Sequence, residues 1–177
     1  HSRDNGTVRH VIWDMGGTLI DTYPEVDRAL AEAAFGPEAD ARLGEVTVLT
    51  RRSIAHATAI LAAGTGTDPE VLNRAYDALK DRWRTRPAPV MDGAREVMDR
   101  VRAVGGLNLV ATHRDRASAT ALLAALGLTV DDMVCAPDGV ERKPSPAMNL
   151  LLARRYGLDP TDVLCLGDRP IDMVAAR

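Results

Sequence analysis

Five polar residues that can take part in catalysis follow short apolar runs of this 177-residue sequence. A carboxylate can act as a nucleophile, a threonine hydroxyl can donate to an anionic oxygen, and a lysine can neutralise the charge of a group in transfer. Two carboxylates four residues apart can both face one hard cation from the first turn of a helix, and such oxygen ligands suit Mg²⁺. The set therefore supports nucleophilic transfer of an anionic group beside a divalent cation. The residues are Asp14, Thr112, Lys143, Asp168 and Asp172.

The apolar runs that precede these residues predict the strands of a parallel sheet, because runs without clear alternation are typical of strands buried on both faces. Segments with helical periodicity separate the runs, and this alternation indicates an open, doubly wound α/β sheet. Since ligands of such sheets lie outside the carboxyl ends of the strands, we expect the five residues at one edge of the sheet. The predicted strands cover residues 8–13, 107–111, 133–136 and 163–166, and the predicted helices cover residues 93–104, 117–126 and 145–157.

The segment between the first two predicted strands has a helical pattern throughout. We expect helices over residues 25–35, 46–61 and 69–83, with Asp68 as the N-cap of the last. The sequence thus predicts an α/β core formed by residues 1–23 and 89–177, and an inserted all-helical cap formed by residues 24–88, with proline-bearing hinges at both joins. The chain ends a few residues into the helix after the fourth strand, and we expect such a sheet to have a further C-terminal edge strand.

Four segments resemble, in order, motifs one to four of the haloacid dehalogenase superfamily. The resemblance spans almost the whole chain, is greatest to the phosphoglycolate-phosphatase-like branch, and includes a helical insertion similar to the type-one cap. It implies a Mg²⁺-dependent phosphatase that acts on a small phosphorylated metabolite through an aspartyl phosphate. The segments are WDMGGTLID, VATHRD, ERKPSP and LGDRPID.

The resemblance also implies a role for each matching residue. Asp14 is the expected nucleophile. Thr112 and Lys143 are expected to bind the phosphoryl group of the substrate, and Lys143 is also expected to keep Asp14 ionised. The expected Mg²⁺ ligands are Asp14, the backbone carbonyl of Gly16, Asp168 and Asp172, the last either directly or through a neighbouring ligand.

Gly16 departs from the pattern of the hydrolytic members of this superfamily, which have a second aspartate at this position. That aspartate protonates the leaving group and then activates water, and a glycine keeps only the backbone carbonyl. A general acid contributes roughly 10²–10⁴ in rate, so turnover is expected to be slow unless another group replaces it. His113 is one candidate for a catalytic and substrate-binding role, because an imidazole titrates near neutral pH and can also bind phosphate. Asp21 and Tyr23 are the others.

The missing aspartate leaves other functions open. One is a phosphate-ester-binding or regulatory protein without efficient turnover. Another is phosphonate or haloacid hydrolysis, since the corresponding members of this superfamily also lack that aspartate. Phosphonoacetaldehyde hydrolases use a cap lysine, but Lys80 lies beside Asp77 and Asp81, a pattern typical of a solvated helix face. Arg51 of the same insertion is predicted to bind an anionic part of the substrate.

The composition excludes several classes of function. A net charge of −3 and a pI near 5.8 provide no basic surface for nucleic-acid phosphates. No apolar run approaches the roughly 20 residues that cross a bilayer, and the polar N-terminal segment does not resemble a signal peptide. We therefore expect a cytoplasmic protein, monomeric or homodimeric, without nucleic-acid or membrane partners. Cys135 and Cys165 lie in apolar runs and are predicted to be reduced core residues.

Overall fold

The structure, a computed structural model, describes residues 8–177. Within this part of the chain, four parallel strands form one sheet in the order β3-β2-β1-β4, which confirms the predicted α/β sheet. The three strands β1, β2 and β3 are buried over most of their length, whereas the edge strand β4 is partly exposed. The strands are β1 (His10–Trp13), β2 (Asn108–Thr112), β3 (Asp132–Cys135) and β4 (Val163–Leu166).

The chain divides into two compact units. The sheet unit comprises the chain up to Ile20 together with Val90–Arg177, and the helical unit comprises Asp21–Pro89. Both divisions lie close to the expected proline-bearing joins. Within the sheet unit, Ile20 forms an antiparallel bridge with Val90, so the two ends of its interrupted chain lie side by side.

The helical unit contains α1 (Tyr23–Phe35), α2 (Ala39–Thr50), α3 (Ile54–Thr65) and α4 (Pro69–Trp83), and α1 packs against α2 and α4. The predicted N-cap of α4 is confirmed, because the Asp68 side chain accepts a hydrogen bond from the Glu70 amide at 2.9 Å. None of the described helices is long and apolar enough to cross a membrane. Buried aliphatic side chains form the interior of the helical unit. They include Val26, Leu30, Val46, Leu61, Leu72 and Leu79.

The prediction of one helix over residues 46–61 is wrong. The chain leaves the helix after Thr50, and Ser53 adopts an extended backbone and begins α3. The Ser53 hydroxyl accepts a hydrogen bond from the His56 amide at 3.0 Å, which satisfies an amide at the new helix start. Apolar periodicity continues on both sides of this break, so the periodic pattern alone does not reveal it.

The sheet unit continues with α5 (Ala94–Ala103), α6 (Arg116–Ala125), α7 (Ala147–Arg155) and α8 (Pro170–Ala175). Met148 and Leu152 of α7 pack against Ile12, Leu109 and Val134 of the sheet in one buried cluster. Burial of these aliphatic side chains supplies the main stabilisation of the unit.

A buried polar contact connects β1, β2 and α5. The Trp13 indole nitrogen donates to Asn108 Oδ1 at 3.0 Å, and Asn108 Nδ2 donates to the Met98 carbonyl at 3.0 Å. Because Asn108 is fully buried, these bonds replace water that its amide group would otherwise need. They fix the pairing of the two central strands and the position of α5 beside them.

The prediction that both cysteines are unpaired is confirmed, and their burial differs. Cys135 on β3 is buried, as expected for a core residue. Cys165 lies on the edge strand β4 and is only half-buried, so the expected core position holds fully for Cys135 alone.

Candidate active site

The carboxyl edge of the sheet carries the polar residues singled out from the sequence. Asp14 follows β1, Thr112 ends β2, and Asp168 lies two residues beyond β4. The Asp14 amide donates to the Leu166 carbonyl at 2.8 Å, which extends the pairing of β1 with β4 to the position of the carboxylate. The parallel arrangement thus places residues more than 150 positions apart at one edge.

Lys143 forms the centre of a buried charge cluster. Its ammonium group donates to Asp14 Oδ1 at 2.9 Å and to Asp172 Oδ1 at 2.7 Å. The Lys143 side chain is 5% exposed, so both ion pairs are shielded from water. The lysine ammonium group thus holds two negatively charged carboxylates close together.

A third carboxylate completes an acidic cluster. One carboxylate oxygen from each of Asp14, Asp168 and Asp172 lies within 4.8 Å of the other two, a spacing that one metal ion can bridge. Asp172 Oδ2 accepts from the Arg169 amide at 3.1 Å, which fixes this carboxylate at the start of α8. A Cβ atom on Gly167 would overlap the Asp172 side chain, so glycine is required for this close approach.

The charge balance of this cluster fits a divalent cation. The pKa of Asp14 is raised to about 7, chiefly because burial disfavours the carboxylate, and the neighbouring Asp172 and Asp168 add to the rise. Lys143 lowers the pKa of Asp14, the direction expected of a group that helps to keep this carboxylate ionised, while burial has the larger, opposite effect. Three carboxylates face one ammonium group, and their oxygen donors suit a hard cation such as Mg²⁺.

Thr112 offers a hydroxyl group at the end of β2. The residue is 4% exposed, and its hydroxyl oxygen accepts a hydrogen bond from the Arg114 amide at 3.1 Å. Because the hydroxyl accepts in this bond, its hydrogen is still able to donate to an anionic oxygen. This geometry is compatible with the expected contact to a phosphoryl group.

His113 has a different environment from that expected of a proton donor. Its Nε2 atom accepts a hydrogen bond from the Lys143 amide at 3.0 Å. The pKa of His113 is lowered to about 4, mainly by burial and then by the positive charges of Lys143, Arg142 and Arg169. The imidazole is therefore neutral at pH 7, and the charged form required of an imidazolium acid is a minor species.

The turn after Asp14 contains Gly16 and Gly17. The left-handed backbone belongs to Gly17, with φ of 81°, and Gly16 lies outside that region. Gly16 pairs with Ile20 in a parallel bridge, and the Gly17 amide donates to the Ile20 carbonyl at 2.8 Å. A side chain at position 16 would therefore meet no penalty from a positive φ.

Sequence reasoning missed Thr18 of the same turn. The Thr18 hydroxyl donates to Asp168 Oδ1 at 3.3 Å and so orients one carboxylate of the acidic cluster. Its position four residues after Asp14, in a glycine-containing turn at a strand end, was the available signal.

The remaining candidates belong to the helical unit. Arg51 follows the last residue of α2, and its guanidinium group stacks on the Tyr23 ring at 3.9 Å from the ring centroid. Lys80 pairs with Asp77 at 2.6 Å, and both side chains are largely exposed, in agreement with a solvated helix face. The Asp21 amide donates to the Pro89 carbonyl at 2.8 Å within the same unit.

The family model of haloacid dehalogenase-like hydrolases matches residues 8–177. A phosphoglycolate phosphatase of Xylella fastidiosa is 33% identical over 98% of this chain and 77% of its own length. An N-acetylmuramic acid 6-phosphate phosphatase of Pseudomonas aeruginosa is 29% identical over 96% of this chain and 77% of its own length. The crystal structure of a hydrolase from Streptococcus pneumoniae aligns with a TM-score of 0.70 at 23% identity, over 96% of this chain and 87% of that one.

The sheet unit is a parallel α/β sheet interrupted by a helical insertion, and a buried lysine–carboxylate cluster lies at its carboxyl edge. The chain belongs to the haloacid dehalogenase-like hydrolases, as its four motifs predicted. Its curated relatives include phosphoglycolate phosphatases, in agreement with the branch that the motifs resemble most, and the chain is a hydrolase of the phosphatase type.

Proposed function

We propose that this chain is a Mg²⁺-dependent phosphatase that acts on a small phosphorylated metabolite through an aspartyl phosphate on Asp14. The observation that carries the proposal is the pair of bonds from the Lys143 ammonium group to Asp14 and Asp172, beside a third carboxylate. The phosphatase names of the relatives support the reaction class.

The chain's own residues account for the first chemical step. An oxygen of Asp14 attacks the phosphorus atom, an aspartyl phosphate forms, and the ester bond breaks. The leaving oxygen departs as an anion and takes its proton from solvent water, because Gly16 offers no acid. Thr112 donates its hydroxyl hydrogen to a phosphoryl oxygen, and the Lys143 ammonium group neutralises charge on the transferring group. Water then hydrolyses the acyl phosphate and restores Asp14.

Asp14, Asp168, Asp172 and the Gly16 carbonyl would hold Mg²⁺. When bound, the cation supplies positive charge that keeps Asp14 ionised and stabilises the phosphoryl oxygens. Asp172 already bonds Lys143 and the Arg169 amide through different oxygens, so it would hold the cation either directly or through a neighbouring ligand.

The helical unit would act as the cap of the enzyme, and Arg51 would bind an anionic part of the substrate. A planar guanidinium group stacked on an aromatic ring loses little conformational freedom when it binds a carboxylate or phosphate. These assignments predict a small substrate with a second anionic group.

A second candidate function is phosphate-ester binding without efficient turnover, and Gly16 favours it. Glycine supplies no carboxyl group at this position, and His113 is neutral at pH 7. Binding of a phosphate ester through Thr112, Lys143 and a divalent cation needs no general acid.

Turnover of an aryl phosphate with and without Mg²⁺ separates the two candidates. We expect Mg²⁺-dependent release of phosphate that Asp14→Asn abolishes, because the amide cannot act as the nucleophile. Binding of phosphate esters without release would support the second candidate. A panel of phosphorylated metabolites then defines the substrate, and release of halide, or of an aldehyde with phosphate, would instead indicate haloacid or phosphonate hydrolysis.

The cation site has its own test. Calorimetry should show that Asp168→Asn weakens Mg²⁺ binding by about tenfold or more, since an amide oxygen replaces an anionic ligand of a hard cation. Asp99→Asn, on an exposed face of α5, is the matched control and should leave the affinity unchanged. Equal Mg²⁺ affinity of Asp168→Asn and the unmodified protein would place the cation elsewhere.

A further inference from the structure

We propose that His113 is a positioning residue of the catalytic centre, which holds the Lys143 backbone and thereby the Lys143 ammonium group, and that it is not the acid that replaces the missing aspartate. Only the kinetic consequences of this inference rest on the proposed function. The contact itself belongs to the sheet unit and can be measured without turnover.

The Lys143 loop depends on His113 for a main-chain hydrogen bond. Lys143 lies in the irregular segment between β3 and α7, where its amide has no strand partner. The Lys143 amide donates instead to His113 Nε2 at 3.0 Å. A second contact supports the same junction, because Arg142 Nη2 lies 3.5 Å from the His113 carbonyl oxygen. The imidazole thus joins the loop after β2 to the loop that carries the lysine.

The position of this backbone matters because the lysine side chain has little freedom at its other end. Its ammonium group must lie 2.9 Å from Asp14 and 2.7 Å from Asp172 at the same time. A displaced Lys143 Cα would move the ammonium group away from one of these carboxylates or force the side chain into another rotamer. Small displacements of catalytic groups can cost about 10²-fold in rate.

The protonation state of His113 agrees with an acceptor and not with an acid. Nε2 needs its lone pair to accept from the Lys143 amide, so the ring carries its hydrogen on Nδ1. Burial and the charges of Lys143, Arg142 and Arg169 lower the pKa of His113 to about 4, while Asp172 acts in the opposite direction. Protonation would bring a second N–H group against the amide and would break the bond.

His10 offers a matched control within the same unit. Its Nδ1 atom accepts from the Leu107 amide at 3.1 Å, so it also bonds a backbone amide through an imidazole nitrogen. It lies at the amino end of β1, whereas the catalytic residues lie beyond the carboxyl ends of the strands. The two histidines therefore differ in the accepting nitrogen and in their place relative to the site.

The first experiment is nitrogen NMR of the imidazoles in the full chain at about pH 6. We expect His113 to be neutral with its hydrogen on Nδ1, whereas the neutral form of His10 carries its hydrogen on Nε2. In His113→Ala, the Lys143 amide should shift and exchange faster with solvent, while the amides of β1 should not change. A protonated His113 at this pH, or an unchanged Lys143 amide in His113→Ala, would overturn the inference whether or not the protein is a phosphatase.

The second experiment compares side chains of different length at position 113. Gln Oε1 can take the place of His Nε2, whereas Asn Oδ1 is too close to the backbone. His113→Ala and His113→Asn should lower kcat by about 10–100-fold with a smaller change in KM. His113→Gln should restore most of that loss and retain the pH profile of the unmodified enzyme. His10→Asn, which keeps the acceptor of the control site, should not change kcat.

The two hypotheses for His113 predict opposite results for the glutamine variant. Glutamine cannot donate a proton to a leaving group, so an acid role predicts that His113→Gln is as impaired as His113→Ala and loses the alkaline limb of its pH profile. That result would overturn the positioning role. Absence of phosphatase activity in the unmodified protein would instead contradict the proposed function, and the NMR result would still decide the contact.

Discussion

We expect Gly16 to determine how well this enzyme can handle different leaving groups. Aryl and acyl phosphates leave without much proton assistance, whereas an alkoxide needs a proton in the transition state. The missing acid should therefore slow alkyl phosphate turnover most. Because His113 accepts a bond from the Lys143 amide, we do not expect it to replace the missing acid.

We predict that Gly16→Asp raises alkyl phosphate turnover by about 10²–10⁴-fold and aryl phosphate turnover much less. The backbone at Gly16 lies outside the left-handed region, so an aspartate there carries no penalty from a positive φ. Steady-state kinetics on a matched alkyl and aryl pair measure the effect. Gly16→Asn is the control, because it has the same shape without an acid. Equal alkyl and aryl turnover by the unmodified protein would mean that another group, such as Asp21, already supplies the proton.

At the scale of the elements, the buried contact between Trp13 and Asn108 fixes how β1, β2 and α5 meet. Asn108 bonds the indole nitrogen and the Met98 carbonyl, and its own amide donates to Asp131 Oδ2 at 2.7 Å. A register shift of either strand would break these bonds and move every side chain to the opposite face.

We predict that Asn108→Leu destabilises the protein by about 1–3 kcal/mol, because the buried Trp13 N–H loses its acceptor. Urea unfolding measures the change. In the background of Trp13→Phe, which lacks the N–H, the same substitution should cost less, and this coupling separates the hydrogen bond from side-chain volume. Asn73→Leu, at an exposed position of α4, should stay within about 0.5 kcal/mol of the unmodified protein. Equal costs with and without the indole N–H would assign the effect to packing.

At the scale of the whole molecule, the helical unit is a single insertion between two adjacent points of the sheet unit. Ile20 bridges Val90, and the Met91 amide donates to the Leu19 carbonyl at 2.9 Å, so both bonds lie within the sheet unit. Every residue of the described cluster that packs α7 against the sheet also belongs to the sheet unit. The sheet unit thus has the contacts of an independently folding domain.

We predict that replacing residues 21–89 with a short glycine–serine linker leaves a sheet unit that unfolds cooperatively. The physical reason is that the excised segment supplies no strand of the sheet, and that the residues on either side of it, Ile20 and Val90, already pair with each other. Circular dichroism during thermal unfolding measures this, and the isolated segment 21–89 should show helical signal. A non-cooperative transition in the shortened chain would mean that the helical unit is required for folding of the sheet.

The order of strands and helices, the helical insertion and the clustering of most candidate residues at one edge of the sheet were predictable from the sequence. Parallel strands buried on both faces need apolar runs, and polar residues directly after such runs must lie at one edge of the sheet. Asp14, Thr112 and Asp168 follow this rule. Local periodicity did not reveal the break before Ser53, because one capping hydroxyl decides it and the apolar pattern continues on both sides.

Tertiary structure alone decided the electrostatics of the site and the environment of His113. The pKa of Asp14 depends on how deeply neighbouring elements bury it, and Lys143 reaches it across 129 residues of chain. The bond from the Lys143 amide to His113 joins two irregular loops whose paths no repeating pattern encodes. Residue types and spacing specify which groups are available, but burial and loop geometry determine which imidazole nitrogen accepts a hydrogen bond and which carboxyl group has a raised pKa.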